Sequence, residues 1–300
     1  MRVEDLVVTL LIPTVNFSIP LMLASIGEVS LERAGIINVG LEGVMLISAF
    51  VSAVSTLIFN SLIIGMFLSI IISVLLASFF SLLVLKLNAD QILVGLGMFI
   101  LAEGITVIGL YAIWGAPYMP SPVSYTIPSI TITPQESLSY FTFLALALGF
   151  LLYFIIFKTK IGLLIRAIGE DPEVAYSTGM PVSRIQFLLI ILNFTLGSLA
   201  GSFISVGINS RFVPGMTAGD GFIALAITAF SNWNPLIALG GSILFGFTLD
   251  LPLWLPITFG ISYPYQFSDM LPYIVMIAVL AGVIKKVKPP KSLGKTFKKD

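Results

Sequence analysis

The sequence predicts an all-α integral membrane protein: a polytopic helical bundle of about nine (eight to ten) transmembrane helices, with one short cytoplasmic helix and one broken half-helix. Three observations carry this expectation. Of 300 residues, 57% are hydrophobic and only 10% are charged, and the mean hydropathy is +1.06. Soluble domains carry about 25% charge, because a water-facing surface needs it. Apolar runs of membrane length recur from one end of the chain to the other. The cations, 15 lysines and arginines in all, are grouped: Lys285, Lys286, Lys288, Lys291, Lys295, Lys298 and Lys299 follow Gly282, and Lys158, Lys160, Arg166 and Arg184 share one central polar stretch.

Taken in order, the apolar runs are 6–26, 41–59, 61–85, 91–113, 138–157, 185–208, 235–251 and 270–285. Glu4 and Asp5 precede the first and further apolar runs follow it, which is unlike a signal peptide. The stretch 219–230 is too short to cross alone, since about 20 residues are needed. It is expected to be a half-helix broken at Asn232-Trp233-Asn234-Pro235 and covered by protein, because irregular backbone does not survive exposed to lipid. Counting it gives about nine crossings with the N-terminus outside. Cytoplasmic loops are rich in Lys and Arg, so the central stretch and the C-terminus are expected in the cytoplasm. The Trp114–Ser137 loop has no lysine or arginine and is expected outside. The organisation is one transmembrane domain, 1–285, and a basic tail, 286–300, suited to anionic lipid headgroups.

Composition also excludes chemistry. The chain has no cysteine and no histidine, which removes disulfides, the usual zinc sites and any histidine-dependent triad. A formal net charge of zero shows no bias toward nucleic acid. Leu293-Gly294-Lys295-Thr296 looks like the end of a phosphate-binding loop, but Pro289 occupies the position five before Gly294 where that loop needs glycine. This chain is not expected to bind ATP itself.

The central stretch, 158–184, has its own punctuation. Asp171 can cap a helix whose first turn holds Pro172 and Glu173. Gly179 can end it in a left-handed conformation, and Pro181 prevents continuation. So short a helix, about seven residues, is marginal alone and calls for a docking partner. Val174, Ala175 and Thr178 would form its small contact face. On pattern alone, a plain connector between two membrane helices stays open.

Further polar residues interrupt the apolar runs. Glu28, Glu32, Arg33, Asn38 and Glu42 lie between the first two. Ionisable groups at membrane depth are costly and usually line a cavity or pair with each other. The alternative is a water-facing loop, and the pattern leaves both readings open. Gly35, Gly40 and Gly43 would let the backbone break and approach a neighbour. Glu103, in the middle of 91–113, is a candidate lining for a pathway, or a carboxyl paired with a polar neighbour. Asn193 suits an interhelical hydrogen bond as well as a ligand contact, and Gly197-x-x-x-Gly201, with Ser198 and Ala200, is a small-residue packing face.

Three motifs, in order over nearly the whole chain, carry a family resemblance. Gly162-x-x-x-Arg166-Ala167-x-Gly169-Glu170-x-Pro172-x-x-Ala175-x-x-x-Gly179 resembles the cytoplasmic loop of ATP-binding-cassette (ABC) importer permeases for branched-chain amino acids, simple sugars and nucleosides. The stretch from Glu28 to Gly43 is similar to the Ser-Glu-Arg-x-Gly-x-x-Asn-x-Gly-x-Glu-Gly pattern of the nucleoside and simple-sugar permeases, with Leu31 inserted between Ser30 and Glu32. Gly219-Asp220-Gly221-Phe222-Ile223-Ala224-Leu225-Ala226, followed by Trp233-x-Pro235 and Leu244-Phe245-Gly246, resembles a third segment, in which such permeases commonly carry Arg where Asp220 stands. Leu271-Pro272-Tyr273 also fits.

The resemblance implies a transport subunit in the plasma (inner) membrane, not an enzyme, with no cofactor in this chain. ATP and Mg would belong to an ABC ATPase subunit. Gly162, Arg166, Ala167, Gly169, Glu170, Asp171, Pro172, Glu173, Ala175 and Gly179 would couple to that ATPase: Arg166, Glu170 and Glu173 through charge-assisted hydrogen bonds, and small Ala175 by allowing close approach. A second, related permease would complete a pathway near Glu28, Glu32, Arg33, Asn38, Glu42, Glu103 and Asn193. An extracytoplasmic binding protein would deliver a small molecule, a nucleoside or simple sugar, over the Trp114–Ser137 loop. The competing class is a self-sufficient secondary transporter or channel coupled to a proton or cation through Glu103 or Glu28. A membrane enzyme has little support, because no paired-carboxylate motif is present.

Overall fold

The chain is described by a computed structural model that covers residues 3–133, 136–259, 270–283, 287–295 and 297. Helix α1 (Val3–Glu32) runs through Pro13 and Pro20, and every residue from 18 to 32 is buried. A helix apolar all round has no water-facing side and belongs at a bundle's centre. It is surrounded by α5 (Tyr140–Lys158), α8 (Val182–Ser202), α9 (Asp220–Phe230) and α10 (Pro235–Phe259).

Beside it, α2 (Leu41–Phe59) packs on α3 (Leu62–Ser81), α4 (Gln91–Trp114) and α8. The Gly197–Gly201 face makes the α2–α8 contact. Gly197 lies on Leu41 and Val44, and a Cβ at Gly201 would overlap the Met45 carbonyl. Both α3 and α8 finish in a widened π-type turn, over Leu82–Lys86 and Phe203–Asn209. Broad apolar faces point outward on α3 (Ile63, Phe67, Leu75) and α4 (Leu93, Ile100, Ile108). In a bundle surrounded by hydrocarbon such faces need no cover, since lipid tails are as apolar as they are.

Among the described residues seven helices are long and apolar enough to span a membrane: Thr9–Glu32, Leu41–Phe59, Leu62–Lys86, Gln91–Trp114, Tyr140–Lys158, Val182–Asn209 and Pro235–Pro252. The expected count of about nine is not reached by helix length. The anticipated half-helix is α9, 11 residues long. It ends at a turn in which Asn232 and Trp233 have φ of 53° and 57°, and Pro235 then opens α10. The last apolar run contains α11 (Leu271–Val283), 13 residues, and its last two positions, 284 and 285, lie outside the described residues.

The two ends of the bundle differ. At one, residues 115–133 and 136–139 are held to the bundle by strand pairing and core contacts. Strands β1 (Ser129–Thr131) and β2 (Ser137–Ser139) pair antiparallel, Ile130 opposite Leu138. Asn16 of α1 pins this hairpin, donating to the Ser137 carbonyl (2.8 Å) and accepting from the Ser139 N–H (3.2 Å). Met119, Val123 and Ile127, four residues apart, are buried in the main core, while Tyr118 and Tyr125 stay exposed. The other end gathers the α1–α2 turn, α6 (Lys160–Glu170), α7 (Pro172–Ser177) and residues 287–295.

Candidate functional site

The Glu28–Gly43 stretch is not a water-facing loop. Helix α1 continues through Glu32, six residues past the expected end of its apolar run, and Glu28, Glu32, Asn38 and Glu42 are all buried. Glu28 and Glu32 stand one turn apart on α1. The chain then bends through Gly35 (φ 84°) and folds back, which returns Asn38 to the level of Glu28. There Glu28 Oε1 accepts the Asn38 backbone N–H (2.8 Å) and Oε2 accepts the Asn193 side-chain amide (2.7 Å). Asn38 Nδ2 donates to Asn193 Oδ1 (2.8 Å) and closes a three-residue ring across α1, the turn and α8. Asn193 is therefore an interhelical hydrogen-bonding residue. The Trp233 indole N–H donates to Glu32 Oε2.

Glu42 sits in the first turn of α2 and takes three donors. Oε1 accepts from Thr217 Oγ1 (2.6 Å) and the Gly219 N–H (2.8 Å), and Oε2 accepts from the Gly221 N–H (2.7 Å). The last two are donors at the start of α9, where free N–H groups and the helix dipole favour an anion. Gly221 is required by contact, since a Cβ there would lie 2.5 Å from the Glu42 backbone nitrogen. Glu103 is half-buried on α4, one turn beyond Phe99, which meets Phe222 of α9 edge-on at 5.5 Å. It is near enough to Glu42 to interact electrostatically, as is Asp220.

Arg33 links this network to the end of the bundle. Its Nε donates to the Trp233 carbonyl (2.9 Å) and a terminal nitrogen to that of Asn232 (3.1 Å). The guanidinium lies 5.2 Å from the Phe157 ring centroid, and Arg166 approaches the same ring at 5.5 Å. Burial, and then the like charge of Arg166, lower the Arg33 pKa, while Glu170 opposes the shift.

The 158–184 stretch forms two helices. Gly162 leaves no room for a side chain against the Ile155 and Ile156 carbonyls, where the chain turns from α5 into α6. Ala167 supplies the carbonyl that accepts the Asp171 N–H (3.0 Å), and Gly169 packs on the Arg33 carbonyl. Asp171 Oδ1 accepts from the N–H of Glu173 (3.1 Å) and Val174 (3.0 Å), with Pro172 in the first turn of α7. Gly179 has φ 84° and closes the segment as the sequence implied. The expected contact face divides, however. Ala175 is buried against its own bundle, whereas Val174 is 59% exposed and Thr178 is exposed. Ala175, expected to meet a partner, packs in this chain in one cluster with Val182 and Leu189 of α8. Arg166 is likewise engaged internally, donating to the Gly162 carbonyl (3.3 Å), and Glu170 faces Lys291 at 3.8 Å while Glu173 is exposed.

Several participants escaped sequence reasoning. Gln91 accepts the Ile37 N–H (2.9 Å), Gln186 donates to the Ala34 carbonyl (3.1 Å), and Thr217 holds Glu42. Only Trp233 had a signal, in its Trp-x-Pro segment. The others are single polar residues whose partners lie from 54 to 175 positions away.

A bundle of apolar, membrane-length helices around buried, hydrogen-bonded carboxylates defines a polytopic helical membrane protein. The chain belongs to the family described as branched-chain amino acid transport system / permease component, which it matches over residues 10–280. It is 33% identical to the guanosine ABC transporter permease protein NupQ of Bacillus subtilis, over 96% of both chains. It is 34% identical to the nucleoside ABC transporter permease protein NupC of Lactococcus lactis, over 94% of both. A putative glucose ABC transporter permease protein, TsgC13 of Haloferax volcanii, is 33% identical over 79% of this chain and 74% of its own. No solved structure matches the chain.

Proposed function

We propose that this chain is the membrane permease of an ABC importer for nucleosides or simple sugars. The observation that carries the reading is the near-full-length similarity to two nucleoside permeases. In this reading ATP and Mg are bound by a separate ATPase subunit, a related permease completes the translocation pathway, and an extracytoplasmic protein supplies the cargo. The α6–α7 end faces the cytoplasm, in keeping with Lys158, Lys160, Arg184 and the lysines beyond Gly282. The ATPase seats on the outer side of α7, with Val174 at the contact, because a six-residue helix presenting an apolar side chain to solvent gains by being covered.

Uptake of labelled guanosine, ribose, glucose and leucine by cells producing the complete system tests the cargo. Accumulation of guanosine or a sugar is expected, and leucine as the sole cargo would overturn the assignment. The purified chain alone should move no nucleoside in liposomes; transport without an ATPase would favour the secondary-transporter class instead. For the docking surface, Val174→Asp should abolish the stimulation of ATP hydrolysis by loaded binding protein while leaving the permease at normal abundance. Full stimulation in that variant would make α7 a connector.

A further inference from the structure

Residues 287–295 lie across the α6–α7 end of the bundle and are bonded to four separate elements. The Lys288 N–H donates to Asn232 Oδ1 (3.0 Å), in the α9–α10 turn. Ser292 is buried and directs both its N–H (3.0 Å) and its hydroxyl (2.7 Å) at the Gly169 carbonyl, two residues before the Asp171 cap of α7. The Gly294 N–H donates to the carbonyl of Gly35 at the bend of the α1–α2 turn (3.1 Å). The Lys295 carbonyl accepts Gln91 Nε2 (3.2 Å), and the other side of that amide holds Ile37 of the same turn. Beyond them, Phe297 packs on Tyr176 of α7, with centroids 5.7 Å apart.

We propose that this segment is a brace and that Ser292 is its positioning residue: it fixes α7 relative to the α1–α2 turn, so that a displacement of α7 is carried to Arg33 and the Glu28–Asn38–Asn193 ring. The reasoning is geometric. Ser292 grips the last turn of α6, and within three residues the same strand of chain grips the turn that bears Arg33. A short segment folded into turns, with the Leu293 N–H on the Pro290 carbonyl (3.1 Å) and the Lys295 N–H on the Ser292 carbonyl (2.9 Å), and held at both points by hydrogen bonds, transmits displacement, because neither contact can lengthen without losing a bond. Residues 287–297 lie beyond the 10–280 stretch that matches the family. The inference rests on the reading that α7 receives the ATPase.

The chain's lack of cysteine makes the test direct. In the complete complex in liposomes, substrate moved per ATP hydrolysed is measured beside permease abundance and ATPase retention. Ser292→Ala should lower that ratio on the order of fivefold, and Ser292→Pro, which also removes the N–H, by more, with the ATPase still bound. Cross-linking Tyr176→Cys to Phe297→Cys with a short bifunctional thiol reagent should leave uptake intact, since the joined parts move together. Uptake abolished by the cross-link means that the segment must release, which overturns the brace. An unchanged ratio in both Ser292 variants, with Val174→Asp still uncoupling, overturns the brace and leaves the docking surface standing. If Val174→Asp also stays coupled, both fail.

Discussion

Glu42 concentrates more of the fold on one side chain than any other residue of the network. It satisfies a hydroxyl and two backbone N–H groups that start α9, with the Thr217 and Gly221 bonds fully buried. Each donor orphaned by its removal costs about 1–3 kcal/mol. Glu42→Ala should therefore lower the thermal midpoint of the detergent-purified protein well below that of Glu42→Gln, which keeps one acceptor oxygen. Equal midpoints would mean that water replaces the carboxylate at no cost. Glu28 and Asn193 make a second case, because each satisfies the other and both serve Asn38. Their alanine variants should be non-additive in a double-mutant cycle, by about 0.5–3 kcal/mol. Additivity within error would show that the ring contributes nothing as a unit. That these residues were polar was plain in the sequence. Their burial was not, because it depends on partners in α8 and beside α9 that stand 165 and 175 positions away.

At the scale of the element, α7 illustrates how far local rules reach. Its start at Asp171-Pro172 and its end at Gly179 follow from capping and from the left-handed region, both of which act within a few residues. Which side of it is covered depends on α8 and Phe297, and the sequence contains no local sign of that. Ala175 faces inward, so Ala175→Trp should push α7 off its own bundle. The expected outcome is faster proteolysis between 170 and 181, with the ATPase released as a consequence; a protease-resistant variant would return Ala175 to the partner-facing side. Gly179→Val should cost about 1–2 kcal/mol, the penalty of a left-handed conformation with a Cβ, read as the same local loosening.

The whole molecule presents two unlike ends joined by apolar helices, and its orientation in the membrane is open to a direct measurement. Single cysteines introduced into this cysteine-free chain report sidedness without background. Tyr118→Cys should react with an impermeant maleimide in intact cells, and Lys160→Cys only after permeabilisation, as the lysine and arginine distribution requires. The reverse pattern would turn the bundle over and remove α7 from the ATPase. A test of the loop at the Tyr118 end should spare its anchors, since Met119, Val123 and Ile127 are part of the core. Replacing exposed Tyr118 and Tyr125 together by alanine should weaken delivery by the binding protein without changing permease abundance; unchanged uptake would show that the two tyrosines have no partner.

By itself the sequence determined that this is a membrane-embedded helical protein, where most of its long helices lie, where the half-helix breaks and where the short helix is capped. Those properties come from hydropathy summed over about 20 residues or from rules spanning one or two turns. Only the tertiary structure decided that the Glu28–Gly43 stretch is buried, that Ala175 faces inward, that the proline-rich loop is anchored, and that residues 287–295 span the end of the bundle. The physical reason is the same in each case. A buried polar group must find its partner wherever the fold brings one, and here the partners of Glu42, Asn193 and Ser292 stand more than 100 residues away.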